Sequence, residues 1–229
     1  MKRTAITLLK SLIITFFPKW YNKRTCSIDG YWNDYFKYAE GGMHKQWDEI
    51  IWPIIKDFNF ETVLELAPGS GRNTEKLIQV ADVIHAVDLN DYALVQLRRR
   101  FQNYTGKCDL HFHKNDGSNL KMLEASSITA IYCWDAAVHF DKTVIRDYIK
   151  EFSRVLKVNG SGFIHHSNLG ASAKKDIQEN PHWRSNMSKE LFQKYCESNG
   201  LQIISQIDLA WDGITDCISV FQKKIAGQR

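Results

Sequence analysis

Two glycines and two carboxylates stand where a nucleotide-like ligand could be held. The segment Val63-Leu64-Glu65-Leu66-Ala67-Pro68-Gly69-Ser70-Gly71-Arg72-Asn73-Thr74 passes from a β-branched run into a helical pattern. Glycines at such a turn permit unusual dihedrals and let a ligand approach the backbone. Asp88 ends the next strand-like run after that turn. A carboxylate at that tip accepts both hydroxyls of a ribose. The dinucleotide fingerprint is absent, because Thr74 stands at its third glycine, and no Gly-Lys-Ser/Thr follows to make a P-loop. Glu65 would repel a pyrophosphate, yet it suits a cationic or amino-acid ligand.

A second group offers proton chemistry. His139 follows the fourth strand-like run, and His165-His166-Ser167-Asn168 ends the fifth. An imidazole titrates near pH 6.5, so it can take a hydroxyl proton at neutral pH. Neighbours on a strand face opposite ways, so one of the pair faces the site. His166 is the expected base, with His165 and His139 next. The competing role is a capping or core histidine. A metal held by His165, His166 and Asp135 lacks tight ligand spacing, and no metal is expected. Beyond them runs Asn180-Pro181-His182-Trp183-Arg184-Ser185. Arg184 could grip a phosphate or carboxylate in bidentate fashion, or simply pair with an acid of the protein.

These groups need a scaffold that gathers strand ends. Strand-like runs at Thr62–Leu66, Val83–Val87, Leu110–Lys114, Ile128–Cys133, Gly162–His165, Gln202–Ile207 and Cys217–Phe221 alternate with helical patterns. The clearest helix runs from Lys142 to Lys157, with Asn159-Gly160 as its stop. Another covers Lys189 to Ser198, with Ser188 as N-cap and Gly200 just beyond its end. Alternation of this kind predicts a Rossmann-like α/β fold, a seven-stranded and mostly parallel sheet covered by helices on both faces. Residues 59–229 form that domain. Residues 1–58 form an N-terminal helical arm and lid, with Gly41-Gly42 dividing its aromatic-rich part into two helical pieces. His44 and Trp47 are its cover residues.

Charge and cysteine usage narrow the partners. Of a net +4, the stretch from Met1 to Ile28 supplies six positive charges (Lys2, Arg3, Lys10, Lys19, Lys23, Arg24) and no negative one, leaving the rest at −2. Such a body is a poor match for a phosphate backbone, so no nucleic acid is expected. Five scattered cysteines without a C-x-x-C pair fit a reducing cytoplasm. The apolar stretch Ala5–Phe17 is interrupted by Lys10. It is shorter than the ~20 residues of a spanning helix. Residues 1–24 read as a helix packing on the body or on a second subunit. The sharper alternative is peripheral contact with anionic lipid at the inner membrane.

The order Glu65-x-x-x-Gly69-x-Gly71 resembles motif I of class I S-adenosylmethionine-dependent methyltransferases, and the likeness extends over about residues 60–222. It implies S-adenosyl-L-methionine as cofactor, with Glu65, Ala67, Gly69 and Gly71 along the methionine end. Asp88 and Leu89 would meet the ribose, Asn115, Asp116 and Gly117 would lie beside adenine, and Trp134 would flank the transferring methyl. The His-His-Ser-Asn and Asn-Pro-His-Trp-Arg-Ser segments are similar to those of small methyltransferases from bacterial surface-polysaccharide (capsule and O-antigen) clusters. On that likeness the expected activity is O-methylation of a small polar acceptor, a sugar or phosphoryl-bearing metabolite. Asp135, Asn168, Trp183, Arg184, His44 and Trp47 are the acceptor-side candidates. An N-methyltransferase is the closest rival, disfavoured because Cys-Trp-Asp-Ala-Ala replaces the Asn/Asp-Pro-Pro-aromatic motif. A non-catalytic partner subunit of the same fold is the rival from another class.

Overall fold

The computed structural model describes residues 40–171, 184–211 and 214–224. The expected arm at 1–24 and Trp183 lie outside them. Seven strands form one sheet: β1 (Thr62–Leu66), β2 (Val83–Asp88), β3 (Asp109–Lys114), β4 (Ile128–Cys133), β5 (Leu156–Ser167), β6 (Leu201–Trp211) and β7 (Ile214–Lys223). Their order is 3-2-1-4-5-7-6, and β7 runs antiparallel to both β5 and β6 while the other pairs are parallel. The order reverses between β1 and β4, so the carboxyl ends of those strands open the crevice where such sheets bind ligands.

Helices are α1 (Thr74–Leu77), α2 (Asp91–Arg100), α3 (Lys142–Val155) and α4 (Lys189–Glu197). One face of the sheet (Leu64, Leu66, Ile131, Ile164) packs on Ile145, Ile149 and Phe152 of α3 and Phe192 of α4. The other (Val63, Ala130, Tyr132, Phe163, Ile218) packs on Leu94 and Leu97 of α2 and on Trp47, Ile51 and Ile55 of a helical run at 40–55. Helix starts follow local chemistry. Asn90 accepts the Tyr92 N–H at 2.9 Å, Asp141 the Thr143 N–H at 2.8 Å and Ser188 the Leu191 N–H at 3.3 Å. Each thereby satisfies a first-turn donor that the helix itself leaves unpaired.

Two boundaries differ from expectation. Gly41-Gly42 does not divide the N-terminal helix, since residues 40–46 are helical through both glycines. The irregularity comes later, as a π-helical turn at Trp47–Ile51. Pro53 lies just beyond it and has no N–H for the carbonyl of Glu49, which favours that looser turn. Nor does Asn159-Gly160 stop α3. The helix ends at Val155, Leu156 turns extended, and Asn159 at φ +63° lies within the irregular start of β5.

Candidate active site

The glycine turn closes over the tip of β2. Ala67 (φ +56°) and Gly69 (φ +59°) are both left-handed, and the Ala67 N–H donates to the Val87 carbonyl at 2.8 Å. This bend aims the Gly69 N–H at Asp88 Oδ2, 3.3 Å away, while Oδ1 accepts from the Asn90 N–H at 2.8 Å. Asp88 is 8% exposed, and burial raises its carboxyl to about 6 against these hydrogen bonds. A diol placed at this rim would supply the donors that favour the charged form.

Gly71 has a different reason to be glycine. Its φ is +92°, and a Cβ there would stand 2.6 Å from Leu97 Cδ1 and 2.9 Å from Phe101 Cε2. The residue lets the turn lie against α2. Gly71→Ala is therefore expected to cost about 1–3 kcal/mol in urea unfolding, through overpacking and left-handed strain. A cost below about 0.5 kcal/mol would show that α2 yields easily.

Glu65 lies beneath the turn, 1% exposed, with Oε2 accepting from Thr74 Oγ1 at 2.6 Å. Its Oε1 has no hydrogen-bond partner, and neither do the buried Tyr132 Oη and Asn73 Oδ1. Burial raises the Glu65 carboxyl to about 8, with Asp88 adding repulsion and the Thr74 bond opposing.

Past the end of β3, Gly117 takes φ +90°, and a Cβ there would stand 3.2 Å from Leu89 Cδ2. Asn115 does not present its side chain as an adenine contact. Its amide donates to Tyr148 Oη at 2.8 Å and to the Asn119 carbonyl at 2.9 Å, and Oδ1 accepts from the Gly117 N–H at 3.0 Å. It shapes the loop instead. Asp116 is exposed, with Oδ1 accepting from Ser118 N–H at 3.0 Å.

Past β4 the chain turns sharply at Asp135 (φ +57°). Arg72 of the glycine turn donates to Asp135 Oδ2 at 2.9 Å, tying the two loops together across the crevice. The Asp135 N–H points at His165 Nδ1, 3.3 Å away. That nitrogen therefore accepts, and the ring proton sits on Nε2, facing Asp216 Oδ2 at 3.3 Å. Trp134 lies over the same imidazole, centroids 4.4 Å apart, and donates Nε1–H to Gln46 Oε1 of the N-terminal helix at 3.2 Å.

The strand alternation holds, but it reverses the expected choice between the two histidines. His165 faces this crevice side. His166 is fully buried on the opposite face, stacked on Phe192 at 4.3 Å, with Nδ1 on the Ser167 carbonyl and Nε2 on Ser219 Oγ, both at 2.8 Å. Burial lowers it to about 4. Both nitrogens are committed to the core, so it cannot serve as the base. His139 is exposed at the end of the short 3-10 turn Ala137–His139.

Other acceptor-side candidates have structural work. Arg184 is held by the buried carboxylate of Asp216, Nε at 3.0 Å from both oxygens and Nη2 at 2.7 Å from Oδ2. It is not an open phosphate grip. Burial opposes ionisation of Asp216, but His165 and Arg184 hold its carboxyl below the usual range. Asn168 joins segments: its Oδ1 accepts from the Lys189 N–H at 2.9 Å and its amide donates to Asp208 at 3.3 Å. Trp47 is buried against Trp52 and Tyr132. His44 is exposed, its Nδ1 2.9 Å from Lys76 Nζ.

The comparisons agree with this geometry. The methyltransferase-domain family matches residues 63–160, from β1 into β5. Among curated proteins no significant match is found. A solved S-adenosylmethionine-dependent methyltransferase from Clostridium acetobutylicum superposes with TM-score 0.64 at 18% identity, over 83% of this chain and 99% of that one. The fold is that of the class I methyltransferases.

Magnesium protoporphyrin IX methyltransferase from Synechocystis, solved with bound SAH, has TM-score 0.63 at 15% identity, over 95% of this chain and 99% of its own. A Haloferax volcanii chain solved with the Trm112 methyltransferase activator has TM-score 0.63 at 16% identity, over 86% and 97%. Within this methyltransferase fold, sequence reasoning missed Asp216, Arg72, Tyr132 and Gln46. Asp216 left a signal. It shares its strand face with Ile218 and Val220, a charge at the buried end of an apolar alternation. Among the described residues no group of three or more His, Cys, Asp or Glu could hold a metal ion, and no helix is long and apolar enough to cross a membrane.

Proposed function

We propose that the protein is an S-adenosylmethionine-dependent O-methyltransferase of a small polar acceptor. One observation carries the cofactor reading: the buried Asp88 carboxylate, presented by the Gly69 and Asn90 N–H groups at the tip of β2 beside the left-handed turn. The residues fit the cofactor. Asp88 would hold the ribose, the Leu89 and Gly117 contact would border the base, and the unpaired Glu65 Oε1 favours a cationic end over a pyrophosphate. S-adenosylmethionine supplies an already electrophilic methyl group.

What remains for the chain is to align an acceptor, exclude water and dispose of a proton. Trp134 and Phe163 wall the end of β4 and β5, with Gln46 tying the N-terminal helix over them. Asp135, 2.9 Å from Arg72 Nη2 and partly exposed, is the acceptor-facing carboxylate of this reading. His165 acts through its neighbours, because its Nδ1 meets a backbone donor and its Nε2 faces Asp216. It fixes the Asp135 turn. A hydroxyl-bearing acceptor such as a sugar suits this arrangement better than a phosphoryl group, for which Arg184 would have to leave Asp216.

The proposal extends to surface-glycan assembly, on the strength of the His-His-Ser-Asn and Asn-Pro-His-Trp-Arg-Ser segments. The test is transfer of radiolabelled methyl from S-adenosylmethionine to a panel of sugars, nucleotide sugars, phosphoryl metabolites and amines. Label on a hydroxyl is expected. Label confined to amines would overturn the oxygen assignment.

A further inference from the structure

We propose that binding of a cationic ligand at the glycine turn drives a proton off Glu65, so that S-adenosylmethionine is held more tightly as pH rises. The inference rests on the cofactor reading above and concerns how that site takes up charge. The geometry carries it. Glu65 is 1% exposed, one oxygen has only the Thr74 hydroxyl at 2.6 Å, and the other has no partner. Its register neighbour across β4 is Tyr132, whose buried hydroxyl is also unpaired.

The charged and titratable groups around this carboxyl do not neutralise it. From β2 comes Asp88, a like charge. From the turn comes Arg72, whose guanidinium is engaged by Asp135 at 2.9 Å. From β4 come Tyr132 and Cys133, both neutral, with burial raising the phenol well up and the thiol to about 12. From α1 comes the Thr74 hydroxyl, donating at 2.6 Å. The 40–55 helix presents apolar Met43 and Trp47 to this face. A buried carboxyl so placed stays protonated at neutral pH, in line with its rise to about 8.

S-adenosylmethionine brings two cationic centres, a sulfonium and an ammonium. Either one near Oε1 stabilises the carboxylate. The O–H bond of the Glu65 acid breaks, its electron pair stays on oxygen, and the proton passes to buffer. No other bond changes. In the ligand-free protein the same group lowers stability as pH rises toward 8, because the unfolded chain has already lost that proton near its ordinary value.

Titration calorimetry at pH 7.5 in phosphate and in Tris reads the proton directly, since the two buffers differ in ionisation heat. At that pH Asp88, raised only to about 6, is already ionised. The expected result is release of most of one proton per S-adenosylmethionine bound, and affinity rising by up to about tenfold per pH unit between pH 7 and 7.5, above the range in which Asp88 titrates. S-adenosylhomocysteine, which keeps the ammonium, and 5′-methylthioadenosine, which has neither cation, separate the two sources. Release with S-adenosylmethionine alone assigns the sulfonium, and release with S-adenosylhomocysteine as well assigns the ammonium. Glu65→Gln should bind without releasing a proton. If that variant does not fold, the three ligands on the natural chain still decide. Binding of S-adenosylmethionine with no release, or equal release with 5′-methylthioadenosine, overturns the proposal. Absence of any binding overturns the cofactor reading itself, and this inference with it.

Discussion

Asp88→Ala lowers the affinity for S-adenosylmethionine by tenfold or more while the protein stays folded. The carboxylate offers the ribose two charge-assisted hydrogen bonds, each of about 1.5–3 kcal/mol. The variant also releases the Gly69 and Asn90 N–H groups, which water can satisfy at the rim. A thermal melt by circular dichroism separates loss of fold from loss of binding. Asp88→Asn is the sharper control, since its amide cannot accept from both N–H groups and two hydroxyls at once. Unchanged affinity in a folded variant would reject Asp88 as the ribose ligand.

The largest effect on stability is expected at Asp216→Ala. This carboxylate has no exposed surface and takes three contacts from Arg184 and one, at 3.3 Å, from His165. Removing it leaves a guanidinium of 10% exposure without its counter-ion. Breaking a buried pair from one side typically costs about 3–5 kcal/mol. Urea unfolding at pH 7 should show a loss of that order. Because the folded protein holds the Asp216 carboxyl below its ordinary value, its contribution is present above the ordinary carboxylate range. It fades as pH falls through the lowered value, so the gap between the two proteins should narrow in acid. A loss under about 1 kcal/mol at pH 7 would mean that Arg184 finds another anion or water.

β1, β2 and β4 were legible because they are short runs rich in β-branched residues, bounded by turn residues. β1 and β4 match to the residue. β5 was less so: its first half, Leu156–Gly160, carries lysine, asparagine and glycine and reads as a helix ending in a loop. Only pairing with β4 reveals it as strand. At the site, the turn and the acidic tip could be read because their chemistry is local, a strained backbone followed by a strand end. The histidines could not. Period-two alternation says that His165 and His166 face opposite ways, but not which face carries the crevice. That depends on Phe192 of α4 covering one side and Trp134 the other. Likewise nothing near Arg184 in sequence announces Asp216, which lies 32 residues away and reaches it only through the β5–β7 pairing.

The central claim is that this crevice binds S-adenosylmethionine. Equilibrium titration of the full-length chain with S-adenosylmethionine, beside NAD and ATP at the same concentrations, tests it most directly. The account predicts one site per chain for S-adenosylmethionine, competed by S-adenosylhomocysteine, and no comparable binding of NAD or ATP, whose phosphate-binding fingerprints the glycine turn lacks. Saturable binding of NAD or ATP with none of S-adenosylmethionine would contradict it.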